Sequence, residues 1–481
     1  MRFLIPLLLA AAAPLAAAPA KPVPGAQSQR NLADFDFVVD TITRNYAGWD
    51  TKVVGAKKAE LAALTARLRA RAPAASDPEL LAILEEWLAF FNDRHTQIGL
   101  DSAPAPAAIS TLPWTEQSVR AKLEALGSKR DPIEGIWRIE DRYRLGVLRS
   151  GSRPGRYTAV VLATRSDTWK PGQVKADFVR RPDGGFDSVF RAGDHSETRQ
   201  VARLAARGEV LDMGNWGGWS REWPAPTDPD ATARLFATGE LFLKRLSPKT
   251  LWLRIPDFSD SRAKPLRELI AAHQPEIDST PNLVIDLRRN GGGSDYVYGP
   301  LVPLLYTRPI VTIGMELRAT EENARLRHEI AERLKADEPG QAGQLEAQNR
   351  LMLSHLGEYV QPDPRPFEIE RLAKVLPFPK RVAVLIDGAG STGEQFLLLA
   401  RQSRKATLFG QKNSAGVLDF ANVVAASSPS GRFKMQWAIS RSMRLPEDPV
   451  DPDGIAPDVR IPADVDDPVS YAADWLERQA D

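Results

Sequence analysis

The fold is best indicated by the stretch Arg381-Val-Ala-Val-Leu-Ile-Asp-Gly-Ala-Gly-Ser-Thr-Gly-Glu394. Its apolar run is typical of a buried strand and breaks at Asp387, and a helical pattern begins after Ser391. A serine on such a turn presents its hydroxyl at a helix N-terminus, where free backbone N–H groups stabilise negative charge. The pattern indicates either a nucleophile or a simple helix cap at Ser391. For an isolated Gly-x-Ser sequence the cap would be favoured.

A glycine run follows a second apolar strand. The segment Asn282-Leu-Val-Ile-Asp-Leu287 leads into Arg288-Arg-Asn-Gly-Gly-Gly-Ser294. Successive glycines let the backbone approach a ligand with unshielded N–H groups. A nucleotide-binding loop is not favoured, because neither the Gly-x-Gly-x-x-Gly spacing nor a Gly-Lys-Ser/Thr sequence is present. A glycine run at the carboxyl end of a strand can instead supply a donor to an oxyanion hole.

The composition describes a neutral protein without cysteine chemistry. The 481 residues are enough for about two to four domains. The 63 Lys and Arg residues balance the 62 Asp and Glu residues, so no basic or acidic surface points to nucleic acid or to a charged partner. With no cysteine, neither disulfides nor thiolate metal sites can form.

The first residues are typical of an export signal. A basic start at Met1-Arg2 precedes an apolar run, and small residues end it at Ala18-Pro19-Ala20. We therefore predict a signal peptide over residues 1–20 and a periplasmic or secreted protein. A membrane anchor is the alternative, but the run is short and Pro14 interrupts it, so no stable membrane insertion is expected. No cysteine is present for lipid attachment.

Three regions with different patterns follow the leader. Residues 28–108 show the periodicity of helices with one buried face, which predicts an N-terminal helical domain. Residues 113–226 consist of short alternating runs separated by Gly, Pro and Asp, which predicts an antiparallel β-sandwich or small barrel. Residues 231–481 alternate strands and helices, which predicts an α/β domain. Within it, residues 321–359 are polar and helical, and indicate either a lid or a plain solvated helix pair.

Three motifs in order resemble the C-terminal processing (tail-specific) serine peptidases and their tricorn relatives. They are Leu283-Val-Ile-Asp-Leu-Arg-Arg-Asn-Gly-Gly-Gly293, Val384-Leu-Ile-Asp-Gly-Ala-Gly-Ser-Thr-Gly-Glu394 and Asp453-Gly-Ile-Ala-Pro-Asp458. The resemblance extends upstream to Asn92-Asp-Arg-His-Thr96, which is similar to an Asp-x-His-Thr element of tricorn-like members. It implies a crotonase-like α/β core of repeated ββα units.

The resemblance also implies a choice between two catalytic bases. The processing branch uses a lysine, but Gly416 stands at the corresponding distance after Ser391, and the nearest lysine is Lys412. The tricorn-like branch uses a histidine from an earlier domain, and His95 fits that role. We therefore expect Ser391 as nucleophile and His95 as base. The remaining histidines are expected to have no catalytic role: His195, His273, His328 and His355.

The resemblance leaves the third catalytic group open. Asp451 occupies the position of a family acid that precedes the glycine of the last motif, and Glu447 is the alternative. An acid there would hold the imidazole tautomer and stabilise the imidazolium, although a plain loop carboxylate fits the sequence as well. The expected oxyanion-hole donors are the N–H groups of Thr392 and of Gly292 or Gly293.

These features together predict an exported serine endopeptidase that acts on extended or unfolded polypeptides and needs neither cofactor nor metal. The middle region lacks the PDZ pattern of the processing enzymes and looks closer to a small lipocalin-like β-barrel. A second hypothesis is therefore a non-catalytic protein that binds a peptide or an apolar ligand, as retinoid-binding relatives of the family do. A third, a crotonase-like acyl-thioester enzyme, is disfavoured by the leader. The oligomeric state is not assigned.

Overall fold

The computed structural model describes residues 24–101, 109–151 and 154–479. The predicted signal peptide, residues 1–20, lies outside the described residues. Within the described ranges, no helix is both long enough and apolar enough to cross a membrane.

The N-terminal region contains four helices and one short strand. They are α1 (Pro24–Asn45), α2 (Trp49–Lys52), α3 (Lys57–Arg71), α4 (Asp77–Leu88) and β1 (Gln97–Leu100). Ser76 begins α4, because Glu79 Oε2 accepts hydrogen bonds from the Ser76 N–H at 2.8 Å and from its hydroxyl at 2.7 Å. This contact between the cap residue and the third residue of the helix fixes where the helix starts. The helix ends at Leu88, and a 3₁₀ turn over Ala89–Phe91 leads to the segment Asn92–Thr96.

The middle region is one helix followed by a closed antiparallel barrel. Its elements are α5 (Glu116–Leu126), β2 (Gly135–Ile139), β3 (Tyr143–Arg149), β4 (Arg156–Thr164), β5 (Val174–Arg180), β6 (Phe186–Arg191), β7 (Glu197–Ala205), β8 (Val210–Asp212) and β9 (Gly218–Trp223). Each strand pairs with the next along the chain, and β2 pairs with β9 to close the barrel. Of the two predicted alternatives, the barrel is confirmed.

Aromatic side chains occupy the barrel core. Trp137, Phe178, Phe186 and Trp219 are almost completely buried and belong to one apolar cluster. The Phe178 and Trp219 rings meet edge to face with centroids 5.9 Å apart. In small barrels the side chains of the strands fill the interior. This barrel therefore has the character of a packed core.

The C-terminal region contains the remaining helices and strands. They are α6 (Ala231–Phe236), β10 (Phe242–Ser247), β11 (Thr250–Arg254), α7 (Ala263–Ala272), α8 (Gln274–Ile277), β12 (Asn282–Asp286), α9 (Val302–Leu305), β13 (Ile310–Ile313), β14 (Met315–Arg318), α10 (Glu321–Leu334), α11 (Pro339–Leu353), β15 (Tyr359–Val360), β16 (Phe367–Glu370), β17 (Arg381–Leu385), α12 (Thr392–Ala400), β18 (Ala406–Gly410), β19 (Phe420–Ser427), β20 (Phe433–Ser442), β21 (Val459–Arg460) and α13 (Pro468–Arg478).

A six-stranded sheet of order β10-β11-β12-β17-β18-β21 forms the centre of this region. All neighbours are parallel except β10 and β11. Its central strands are apolar on both sides because α13 packs on one face, while α7 and α12 pack on the other. Asp286 at the end of β12 pairs with Leu385 at the end of β17. The glycine run and the Ser391 turn therefore leave the same edge of the sheet side by side.

A second sheet joins the two ends of the chain. Its order is β1-β20-β14-β15, with β19 also paired to β20, and Gln97 of β1 lies opposite Gln436 of β20. The N-terminal helices share one apolar cluster with this sheet, in which Phe35 of α1 and Trp437 of β20 are both fully buried. This shared core holds the segment between α4 and β1 against the C-terminal region.

The helix pair α10–α11 also packs on the second sheet. Asn323 of α10 accepts a hydrogen bond from the Trp437 indole at 3.0 Å and donates one to the Asn45 carbonyl at 2.9 Å. Asn323 is fully buried. One face of the predicted helical insertion, residues 321–359, is thus part of the protein core.

Candidate functional site

Ser391 lies on a strained turn between β17 and α12. Its φ of 53° and ψ of −122° fall in a region that side chains rarely adopt. Non-glycine residues held in such conformations cluster at functional sites, because the surrounding structure must impose them. The strain therefore weighs against Ser391 being an ordinary helix-capping serine.

The hydrogen bonds around Ser391 leave its hydroxyl free. The Ser391 N–H donates to Glu394 Oε2 at 3.2 Å, and the Glu394 N–H donates to the Ser391 carbonyl at 2.8 Å. The Ser391 hydroxyl lies in a capping position, but its contact with the Glu394 N–H does not have the geometry of a hydrogen bond. The hydroxyl is thus available for chemistry, as the nucleophile hypothesis requires.

Glu394 ties the Ser391 turn to the loop after β18. Its buried carboxylate accepts hydrogen bonds from the Ser414 hydroxyl at 2.5 Å, the Gly416 N–H at 2.6 Å and the Val417 N–H at 2.8 Å. These donors satisfy a fully buried charge. Glu394 thus fixes residues 414–417 against the nucleophile turn.

The glycine run contacts the Ser391 turn through positions that exclude a side chain. Gly292 has a φ of 96°, and a Cβ atom there would lie 2.7 Å from Ser391 Cβ. Gly293 has a φ of 147°, and its Cβ would lie 2.0 Å from the Phe258 carbonyl oxygen. Only glycine allows this backbone to approach both neighbours.

Two of the three predicted oxyanion-hole donors have an open N–H group. Within the part of the chain that the structure describes, the N–H groups of Gly293 and Thr392 have no hydrogen-bond acceptor. The Gly292 N–H donates to Asn290 Oδ1 at 2.8 Å and is therefore not available to a ligand. The Thr392 hydroxyl donates to the Gly293 carbonyl at 2.8 Å, which joins the two segments that carry the open donors.

We predict that Gly292→Ala lowers turnover at least about 100-fold, because its Cβ would displace Ser391 from its position. Gly291→Ala is the matched control, since no atom lies within 4 Å of its Cβ position, and near-normal activity is expected. Hydrolysis of an unfolded protein substrate measures both effects, and circular dichroism checks folding. Equal activity of the two variants would contradict the close packing described.

Asp93 holds the turn that carries His95. Asp93 Oδ1 accepts the His95 N–H at 2.8 Å, while Oδ2 accepts the Tyr46 hydroxyl at 2.7 Å and the Thr96 hydroxyl at 3.2 Å. Tyr46 is fully buried between the N-terminal helices and β19. The aspartate therefore anchors the His95 backbone to the shared core.

The orientation of the His95 ring determines which nitrogen can act as a base. Its Nδ1 lies 2.5 Å from the carbonyl oxygen of Phe420, at the start of β19. A carbonyl can only accept a hydrogen bond, so this contact assigns the proton to Nδ1. In the neutral imidazole this tautomer leaves Nε2 as the nitrogen that can accept a proton.

One segment connects His95 with Ser391. Arg94, next to His95, donates to the Ala415 carbonyl at 3.0 Å, and the Ala415 N–H donates to the Ala389 carbonyl at 2.7 Å. Ala389 lies two residues before Ser391. The predicted nucleophile and the predicted base therefore both border residues 414–420.

Asp451 contacts the backbone that leads to Phe420. Its Oδ1 accepts the Leu418 N–H at 2.6 Å and the Asp419 N–H at 3.1 Å. Burial raises the pKa of Asp451 to about 6. The partner of the His95 ring is thus the Phe420 carbonyl, and Asp451 supports the residues just before it. This differs from the expected direct contact between acid and imidazole.

The two alternatives, Glu447 as the acid and Lys412 as the base, make no comparable contacts within the described residues. Glu447 is exposed and makes no hydrogen bond with any residue that the structure describes. The side chain of Lys412 is also exposed, and its backbone N–H donates to Asp387 Oδ1 at 2.7 Å. The geometry therefore favours Asp451 over Glu447 and gives no support to a lysine base.

The sequence analysis missed three contributors to the His95 environment. Lys52 donates to the Phe91 carbonyl at 2.7 Å and lies 4.4 Å from the Phe420 ring centre. Burial lowers the pKa of Lys52, and the charges of Asp93 and Asp451 oppose that shift. Asp93 could have been found within the Asp-x-His-Thr motif. Phe420 acts through its backbone carbonyl, which leaves no signal in the sequence.

A strained serine beside open N–H groups, with a histidine that borders the same segment, is typical of serine hydrolases. Residues 249–461 match the sequence profile of peptidase family S41. This match confirms the resemblance to the C-terminal processing peptidases over that part of the chain. No curated protein matches the chain at a significant level.

Solved structures give looser similarities. Mature CPAF complexed with lactacystin is 14% identical, with 94% of this chain and 98% of that chain covered and a TM-score of 0.49. The photosystem II D1 C-terminal processing protease is 12% identical, with 92% and 97% covered and a TM-score of 0.37. Because both TM-scores lie below 0.5, these likenesses carry no conclusion about this chain.

Proposed function

We propose that the protein is an exported serine endopeptidase that cleaves extended or unfolded polypeptides through Ser391 and His95. The observation that carries the proposal is that the strained Ser391 turn and the His95 ring, with its free Nε2, border the same segment, residues 414–420. The open N–H groups of Gly293 and Thr392 support it. The matched family profile covers Ser391 and both donors.

In the proposed reaction, His95 Nε2 takes the proton from the Ser391 hydroxyl as its oxygen attacks the peptide carbonyl carbon. The N–H groups of Gly293 and Thr392 stabilise the oxyanion of the tetrahedral intermediate, and a lost donor of this type typically costs about 100- to 1000-fold in rate. The imidazolium then gives its proton to the leaving amine, and an acyl-enzyme remains on Ser391. Water attacks the ester by the same steps and regenerates both residues.

We assign Asp451 a supporting role in this reaction. It accepts the N–H groups of Leu418 and Asp419, and so fixes the Phe420 carbonyl that holds His95 Nδ1. Its negative charge would also stabilise the imidazolium. Asp451 acts on His95 through the backbone, so its carboxylate and the imidazole need no direct contact.

We predict that Asp451→Asn lowers kcat roughly 10- to 100-fold, the loss typical of misplaced catalytic geometry, and more than Glu447→Gln does. The same change should raise the melting temperature at about pH 8, because ionising a carboxyl whose pKa is raised to about 6 costs stability above that pH. The gain should shrink as the pH falls from about 6 and disappear at about pH 3, below the unfolded aspartate pKa of about 3.9.

Casein hydrolysis measures the change in kcat, and thermal melts from acidic pH to about pH 8 measure the change in stability. Loss of activity in Glu447→Gln, with Asp451→Asn unchanged, would transfer the role to Glu447. In a Ser391→Ala background, Asp451→Asn should cost nothing further, because catalytic units are strongly non-additive.

The alternative of a non-catalytic binding protein has less support. An apolar ligand would need space in the barrel, whose core is occupied by buried rings such as Trp137 and Trp219. Reaction with a serine-directed fluorophosphonate probe separates the hypotheses. Labelling at Ser391 together with casein hydrolysis supports the peptidase, and an unlabelled, inactive but folded protein would refute it.

The regional assignments are part of the proposal. We propose three regions: an N-terminal region over 28–108 that contains the first helices, a middle region over 113–226 that contains the barrel, and a crotonase-like core within residues 231–481. The export signal over residues 1–20 would be removed, leaving a soluble periplasmic or secreted protein. N-terminal sequencing of the exported material tests this, and an intact Met1 on membrane-bound protein would overturn it.

A further inference from the structure

One cluster of metal-ligating side chains lies away from the candidate active site, on the helix pair α10–α11. His328 and Glu332 stand one turn apart on α10, so both project from the same face of the helix. Glu346 projects from α11 towards them, with its Oε1 2.6 Å from His328 Nδ1. The two helices thus bring an imidazole and two carboxylates together from separate parts of the sequence.

The spacing of these groups suits a single ion. One ligand atom from each residue lies within 4.8 Å of the other two. Zinc binds histidine nitrogen and carboxylate oxygen at about 2.0–2.2 Å, so two ligands on one ion lie roughly 3.4 Å apart. The three side chains are exposed or half-exposed. Small rotations about their own bonds therefore close the remaining gap without moving the helices.

The chemistry of the set favours zinc over the harder cations. Calcium and magnesium prefer sites made of oxygen ligands alone, whereas an imidazole suits zinc and similar transition metals. Three protein ligands leave a fourth tetrahedral position for water, which the solvent exposure of the cluster permits. Two carboxylates and a neutral imidazole also balance the charge of a divalent ion.

The existing contacts leave room for an ion. Glu332 forms an ion pair with Lys335 at 3.0 Å, but that lysine is largely exposed, and such pairs contribute little. Glu346 has no arginine or lysine partner among the residues that the structure describes. Its contact with His328 Nδ1 is the one that an ion would replace. Displacing these contacts therefore costs little.

We propose that His328, Glu332 and Glu346 form a zinc site that joins α10 to α11. The ion would link the two helices on their solvent side, opposite the face where Asn323 bonds the Trp437 indole. The preceding residue of β20, Gln436, donates to the His95 carbonyl at 3.3 Å. The site thus stiffens a helix pair that packs on the sheet beside His95, and it has a structural role independent of the proposed peptidase reaction.

The test is zinc binding by the untagged full-length protein, measured by calorimetry and by the melting temperature with added zinc. We expect one ion per chain and a higher melting temperature. His328→Ala should weaken binding at least about ten-fold, since even outer-shell changes at metal sites cost that much. Glu346→Gln should also weaken it, and both sites are exposed enough for the variants to fold.

His355→Ala is the matched control, because His355 is an exposed histidine at the end of the same helix pair. It should bind zinc as the natural protein does. Absence of zinc binding, or equal affinity in the natural protein, His328→Ala and Glu346→Gln, overturns the site. Neither result depends on hydrolysis, so the zinc-site proposal and the peptidase proposal can be refuted independently.

Discussion

The Ser391→Ala variant is expected to lose hydrolysis of unfolded casein by about a million-fold in kcat, the loss typical when a serine peptidase loses its nucleophile. Among the residues that the structure describes, the hydroxyl makes no capping hydrogen bond, and alanine is smaller than serine. Folding should therefore be retained. The strained φ of 53° remains in the variant and gives no reason for a change in stability.

Ser403→Ala is the matched control, because Ser403 follows the other end of the same helix, α12. It should keep near-normal activity. The fluorophosphonate probe should label the natural protein and Ser403→Ala but not Ser391→Ala. Substantial turnover by a folded Ser391→Ala variant would remove the nucleophile assignment.

His95→Ala is expected to cause a comparable loss, on the order of a million-fold, because base and nucleophile act as one unit. The variant removes Nε2, which the contact between Nδ1 and the Phe420 carbonyl leaves free to accept the serine proton. Combining it with Ser391→Ala should reduce activity no further. Casein hydrolysis by the single and double variants measures this, with thermal melts as the check on folding.

Lys412→Ala should change the rate little, since its exposed side chain has no role in the proposed reaction. A collapse of activity in this variant, with His95→Ala near normal, would revive a serine–lysine mechanism. Full activity of both would show that another residue supplies the base.

The part of the site that the sequence predicts best is the part built by adjacent strand ends. Ser391 and the glycine run each follow an apolar strand, and parallel strands place their carboxyl ends at one edge. His95 could be assigned only through the family resemblance, because it reaches the site by long-range packing of β1 on β20. The Phe420 carbonyl and the occupied Gly292 N–H depend on backbone geometry that no residue type reveals.

In the fold, too, local patterns could be predicted from the sequence, whereas long-range pairing could not. The alternation of residues predicted the strands of the middle region, but a sandwich and a barrel share that alternation, so the pairing of β2 with β9 could not be predicted. Periodicity also indicated a buried face on α1, but not what covers it. That partner is the second sheet, in which Trp437 is fully buried.

The pairing of β1 with β20 has a consequence for when activity can arise. The proposed base lies two residues before β1, and the proposed nucleophile lies on a turn about 300 residues later in the chain. A chain still emerging from the ribosome, or one being threaded across a membrane, carries at most one of them in place. Under the proposed mechanism, proteolysis would therefore require the completed tertiary structure.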